Sequence, residues 1–257
     1  MPAAVVLPLH VKLEMAFRLL MIQSAWNYEL LLGNGLGFCI EPALRLLPGG
    51  PEGEAYRQAL ARESRYFNAH PYLAAVAVGS LARAELEMVP PAKIERFRTA
   101  LCGPLGSVGD RLVWAGWLPF CSLLALAAYG LGAGPAAVLL LFLGLYNVGH
   151  FGLRAWGLRV GLRHGMRVAP SLATPVLRQG PAHLARAAAL VAGIALPLAL
   201  GRIIGPGQRL LGVVVVVVAL MGALATRLPG WLQGWRLSVG VLAAWILYSI
   251  AQHTVAR

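Results

Sequence analysis

The chain has 257 residues, is 58% hydrophobic and only 12% charged, and carries a formal charge of +12 at pH 7. With a mean hydropathy of +0.69, against about 25% charged residues in ordinary soluble domains, it has too little polar surface to face water on all sides, which excludes a soluble globular domain. All ten carboxylates, from Glu14 to Asp110, lie in the first 110 residues beside ten Lys and Arg, while twelve arginines and no acid occur after them, so the net charge belongs to the C-terminal part and sits between apolar runs, which favours membrane topology over nucleic-acid binding.

The first ten residues lack a basic segment, and Lys12, Glu14 and Arg18 interrupt the next stretch of chain, so no cleaved signal peptide is expected. From Leu13, the residues Phe17, Leu20, Met21, Ser24, Tyr28 and Leu31 keep to the helical period, with Lys12, Glu14, Arg18 and Gln23 on another face. Such a helix either lies on the headgroups with its apolar face down or packs on its own protein.

Trp26-Asn27-Tyr28-Glu29 precedes an expected glycine-rich turn at Gly33-Asn34-Gly35-Leu36-Gly37. An amide and a carboxylate beside aromatic rings suit a sugar: planar acceptors and donors for hydroxyls, and a ring face for the C–H side. The alternative is that Asn27 and Glu29 cap or pair inside a helix bundle, and spacing alone leans that way. Pro48-Gly49-Gly50-Pro51 is a break, 54–68 a polar helix, and His70-Pro71 a turn. Phe67-Asn68-Ala69-His70-Pro71-Tyr72 repeats the polar-aromatic chemistry, although a lone His before Pro is more often structural. The apolar stretch 72–82 has too few residues to cross a bilayer, so it is a buried helix or one arm of a re-entrant hairpin. Segment 103–110, with three glycines and a proline, is expected to be irregular backbone, with Asp110 opening the first spanning run at the positive end of its dipole.

Spanning a core about 30 Å thick takes roughly 20 apolar residues. Five runs approach that length, at 112–129, 135–151, 187–204, 210–226 and 237–251, with every arginine at or beyond an end. The valines of 213–218 are read as lipid-facing helix. Arginines 154, 159, 163, 167, 178 and 186 cluster between the second and third runs, which places that loop, and with it the N-terminus, on the cytoplasmic side. In the second run Asn147, His150 and Arg154 share a face that either lines a cavity or snorkels to the interface. Cys39, Cys102 and Cys121 have no paired spacing and the six histidines are scattered, so no metal, cofactor or catalytic set is expected.

The resulting fold class is all-α: a polytopic membrane protein with an amphipathic and re-entrant helical region at 1–110 and about five membrane helices in 111–257. In order along the chain, Trp26-Asn27-Tyr28-Glu29 with Gly37-Phe38, then Phe67-Asn68-Ala69-His70-Pro71-Tyr72, then Gly103-Pro104-Leu105 with Gly109-Asp110 and Trp114, then Asn147, Arg154, Trp156-Gly157-Leu158, Gly161 and Gly165 resemble the IID subunit of the mannose/fructose/sorbose family of bacterial sugar phosphotransferase systems. The resemblance covers roughly residues 20–170. It implies a non-phosphorylated inner-membrane subunit that pairs with IIC in a hetero-oligomer and carries a hexose, while A and B subunits relay phosphate from HPr. It also implies re-entrant short arms, and sugar-side polar residues Asn27, Glu29, Asn68, His70, Asp110 and Asn147. The chain departs from the family pattern in having Leu30-Leu31-Leu32 where Arg-Met-Gln is usual, and His150 where an arginine is usual. A second reading is a transport-deficient regulatory or scaffolding protein on the same fold.

Overall fold

The computed structural model describes residues 7–204; the runs at 210–226 and 237–251 lie outside them. In chain order the helices are α1 (Leu9–Arg18, extended by a tight 3-10 turn Leu19–Met21), α2 (Gly33–Leu44), α3 (Glu54–Glu63), α4 (Ala74–Leu86), α5 (Pro91–Gly109), a π-helical stretch Asp110–Trp117, α6 (Leu118–Gly130), α7 (Pro135–His164), a short α8 (Ala169–Leu172) and α9 (Pro175–Ile204). No strand occurs among the described residues. The described residues fall into two compact units: 7–125 with Gly134–Val191, and Leu126–Ala133 with 192–204.

The first unit is built around α4. Its sequence of Ala, Val, Gly and Ser gives a thin helix whose residues from Ala74 to Ala82 are all buried, and α7 lies against it. Small residues make the approach possible: a Cβ at Gly79 would stand 2.6 Å from the Leu158 carbonyl oxygen, and one at Gly161 would strike the Val76 carbonyl. This is the small-residue packing that lets membrane helices meet backbone to backbone. Most of the 72–82 stretch thus lies in a helix buried within the protein. Arg83 ties the far end of the pair, with its guanidinium donating to the Leu162 and Arg163 carbonyls where α7 ends, and with Glu87 as its ion-pair partner at 2.7 Å.

Around this pair pack Met15, Leu19 and Ile22 from the first segment, Leu36, Ile40 and Leu44 from α2, and Leu101 and Leu105 from α5. The polar face of α1 is held by ions: Arg18 lies 2.6 Å from Glu14 and 2.8 Å from Glu41, and Arg45 pairs with Glu41 at 2.7 Å. Burial works against Glu41, but the hydrogen bonds from Arg45 and Tyr56 and the charges of Arg45 and Arg18 outweigh it and hold its carboxyl below the usual range.

The expected helix from Leu13 to Leu31 stops at Met21, because the chain turns at Trp26 to Leu31 to meet Phe67. Its apolar stripe is real but faces outward: Leu9, Leu13, Phe17, Leu20 and Met21 are exposed, while Val11, Met15, Leu19 and Ile22 point into the core. The expected turn at Gly33–Gly37 is the first part of α2, where glycines permit the backbone of Ile22 to pass against Gly35. Segment 103–110 is not irregular either. Pro104 and the glycines sit inside α5, and the helix goes on through the π-helical stretch into α6, 40 residues in all. At 1.5 Å per residue that is about 60 Å, twice a bilayer core, and only the part after Arg111 is free of charge.

Three helices among the described residues are long and apolar enough to cross a membrane: Pro91–Gly130, Pro135–Arg167 and Ala169–Ile203. They take in the first three expected runs, the third but for its last residue. Arg154 differs from expectation. It lies inside α7 and is only 5% exposed, which rules out snorkelling. Instead its guanidinium sits 4.9 Å from the Tyr72 ring centre and donates to the Leu19 carbonyl. In the second unit, Arg202 donates to the carbonyls of Tyr129 and Ala133 and lies over the Tyr129 ring at 4.3 Å.

Candidate functional site

The first unit holds a cavity of 490 Å³ with three walls. One wall is the loop between α3 and α4, contributing Tyr66, Asn68, Ala69, His70 and Pro71. Opposite stands one face of α5 and its continuation, with Cys102, Gly103, Gly106, Ser107, Asp110 and Trp114 recurring every three to four residues. Gln23, Trp26 and Leu32 form the third.

Each wall has a local cause. The 26–32 turn is an Asx turn in which the Asn27 side-chain oxygen accepts from the Glu29 and Leu30 amides at 3.0 and 2.9 Å. This turn is stitched to the loop, where Phe67 N–H donates to the Leu30 carbonyl at 3.1 Å and Leu32 N–H to the Phe67 carbonyl at 2.9 Å. His70 approaches α5 only because residue 109 is glycine, since a Cβ there would collide with the His70 side chain.

His70 is 1% exposed. Burial chiefly, and secondarily the Arg154 charge, push its imidazole down to about 4, so it is neutral at pH 7. Its Nδ1 accepts the Tyr72 amide at 3.2 Å, which leaves the proton on Nε2 as a donor, and Nε2 has no partner among the described residues. The ring lies 5.0 Å from those of Tyr72 and Trp114. Tyr72 is in turn stacked on His150 at 4.4 Å and bonded through its hydroxyl to that of Tyr146 at 2.8 Å.

Of the residues singled out from the sequence, Asn68, His70 and Asp110 come together on the cavity. Asn27 uses its side chain on its own turn. Glu29 is exposed and outside the lining. Asn147 lies on α7, with its amide donating to the Leu143 carbonyl at 2.8 Å and its oxygen 3.3 Å from His150 Nδ1. Sequence reasoning did not place Gln23, Tyr66 or Ser107 on the cavity. For Ser107 the signal was present: 103, 106, 107, 110 and 114 share one helical face, hidden by treating 103–110 as irregular.

Neutral donors, a carboxylate and indole faces can bind a polyhydroxylated ligand through hydroxyl hydrogen bonds and C–H contacts. Among the described residues no group of three His, Cys, Asp or Glu is placed to hold a metal.

The sequence pattern of the PTS system mannose/fructose/sorbose family IID component matches residues 10–184. The mannose-specific EIID component of Escherichia coli K12 is 31% identical over 157 residues, 58% of this chain and 53% of that protein. The fructose permease IID component of Bacillus subtilis is 31% identical over 155 residues, 58% and 55% of the two chains. The sorbose-specific EIID component of Klebsiella pneumoniae is 32% identical over 167 residues, 61% and 58%. The aligned part thus spans about half the length of these relatives. Among solved structures, a chain of the mannose transporter ManYZ in complex with microcin E492 superposes with a TM-score of 0.57 at 20% identity, over 97% of both chains. Another, described as a membrane protein, superposes with a TM-score of 0.69 at 21% identity, over 96% and 97%. These show a shared all-α membrane fold, and with more than half of its length matched, the chain belongs to the mannose/fructose/sorbose family of PTS IID components.

Proposed function

We propose that this chain is the IID subunit of a hexose permease of the group-translocation type, and that the 490 Å³ cavity is its share of the sugar path. In this reading it pairs with a IIC subunit in the bacterial inner membrane, while A and B subunits charged through HPr phosphorylate the sugar. The observation that carries the reading is chemical: Asn68, Ser107, Asp110 and the neutral His70 share one cavity with Trp26 and Trp114, which is the mixture of planar hydrogen-bonding groups and ring faces that sugars require. Asn27 acts by shaping the turn, and Glu29 and Asn147 serve at surfaces outside the cavity. The arginines from 159 to 186 hold the adjoining loop, and with it the N-terminus, in the cytoplasm.

The test is uptake of labelled mannose, fructose and sorbose by cells carrying the full subunit set. Asp110→Asn and Trp114→Ala each raise the half-saturating concentration by roughly tenfold or more, the loss of a charged hydrogen bond or of a stacking face. Unchanged half-saturation in both variants contradicts the assignment. A reporter fused after Arg167 gives a cytoplasmic signal, and a periplasmic signal reverses the topology.

A further inference from the structure

Below the cavity, one and two helical turns before Cys102 and Gly106 on the same face of α5, lies Arg98. It is 7% exposed and is not part of the lining. Its guanidinium reaches across to the end of α3 and the loop after it: Nη1 donates to the Tyr66 carbonyl at 2.9 Å, and Nη2 to the Glu63 carbonyl at 3.2 Å and to the Arg65 carbonyl. Its Nε lies 3.3 Å from the fully buried Glu63 carboxyl group. Its flat face lies 5.3 Å from the Phe67 ring centre, and Phe67 is the residue through which the loop is stitched to the 26–32 turn. One planar cation thus ties three carbonyls at the root of one wall to the helix that forms the opposite wall, and covers the residue where the third wall joins.

We propose that Arg98 is a positioning residue for the sugar cavity: it sets the distance between the 66–71 loop and α5, and so the alignment of Asn68 and His70 with Ser107 and Asp110. The proposal rests on the reading of the cavity as a sugar site. Helix ends in general need donors for their last carbonyls, but a cap needs to reach only its own helix, whereas this one binds the end of α3 from α5. A guanidinium is required because its rigid fork addresses several acceptors at once, while an ammonium satisfies them singly on a flexible stem.

Two variants separate positioning from mere stabilisation. Arg98→Lys keeps a cation opposite Glu63 but loses the fork. The double variant Arg98→Met with Glu63→Gln removes the pair without leaving a lone buried charge. In cells carrying the complete permease, with uptake of labelled mannose, fructose and sorbose corrected for the amount of the chain in the membrane, both variants raise the half-saturating concentration by roughly tenfold. The maximal rate stays within about twofold of wild type. Wild-type half-saturation in both variants, or a loss confined to the amount of protein, overturns the proposal. Asp110→Asn is measured alongside. If it shifts half-saturation and the Arg98 variants do not, positioning alone is wrong; if none of the three shifts it, the sugar-site reading falls and the proposal with it.

Discussion

Glu63 has no exposed surface and shares its pocket with Glu85, Arg62 and Arg98, the Arg62–Glu85 pair being joined by two bonds of 2.9 and 2.7 Å. Burial first, then the neighbouring Glu85 carboxylate, push the Glu63 carboxyl up to about 8, against the opposing pull of Arg98 and Arg62. An acid with a native pKa above its unfolded value holds its proton better when folded. Its contribution therefore favours the fold at low pH and is lost as pH rises from about 4.5 to about 8. His70 has the opposite sign, since its native value of about 4 lies below the ordinary 6.5, so its contribution is lost as pH falls through that interval. Between pH 6.5 and 8 only the Glu63 slope remains of the two. In detergent, the melting temperature falls by roughly 2–4 °C or more across that window, and Glu63→Gln flattens the slope. A wild-type profile that is flat or rises there contradicts the assignment. Uptake, in turn, shows no inflection near pH 6.5 traceable to His70, which a His70→Asn comparison checks.

Among the helices, the α4–α7 contact decides whether the first unit forms. Gly79 and Gly161 each face the opposing backbone, so a larger side chain has no rotamer by which to escape. Gly161→Val costs about 3 kcal/mol or more, the upper range for overpacking, and lowers the amount of folded protein in the membrane, whereas Gly152→Val, at a position where an added Cβ meets nothing within 4 Å, leaves it unchanged. Equal loss in both would contradict this packing. How much of this was legible in the sequence differs from helix to helix. The first three spanning runs were, because lipid demands long uncharged segments, and they fall within the three long apolar helices of the described residues, the third but for its last residue. The polar cavity residues Asn68, His70 and Asp110 stood out as costly groups beside apolar neighbours. Segments 33–37 and 103–110 were misread because Gly and Pro ordinarily break helices in water. Here glycine serves close approach instead, at Gly35 to Ile22 and at Gly109 to His70, and Pro104 is accommodated within α5. The outward direction of the α1 stripe was not legible, since periodicity shows that a helix has an apolar face without saying what the face meets. Arg98 was invisible because its partners are carbonyls, which every sequence possesses.

For the molecule as a whole, the charge asymmetry and the cavity meet at one place. Asp110 and Arg111 end the charged part of the long helix that begins at Pro91, and the cavity is built on the turns just before and after that point. In the proposed reading, a polar cavity at the border between charged and uncharged helix is where a sugar leaving water would first exchange hydroxyl partners. The tightly packed first unit supplies rigid walls for this exchange.

Cys102 offers the most direct measurement, because it is the cysteine on the cavity lining. Cys39 is buried, with desolvation raising its thiol to about 12, and Cys121 is buried as well. In purified permease complex, maleimide labelling of Cys102 should slow by roughly an order of magnitude when a sugar that the cells take up is present at saturation, and Asp110→Asn should shift the protecting concentration upward. A labelling rate indifferent to every transported sugar would contradict the claim that this cavity is the chain's contribution to the sugar site.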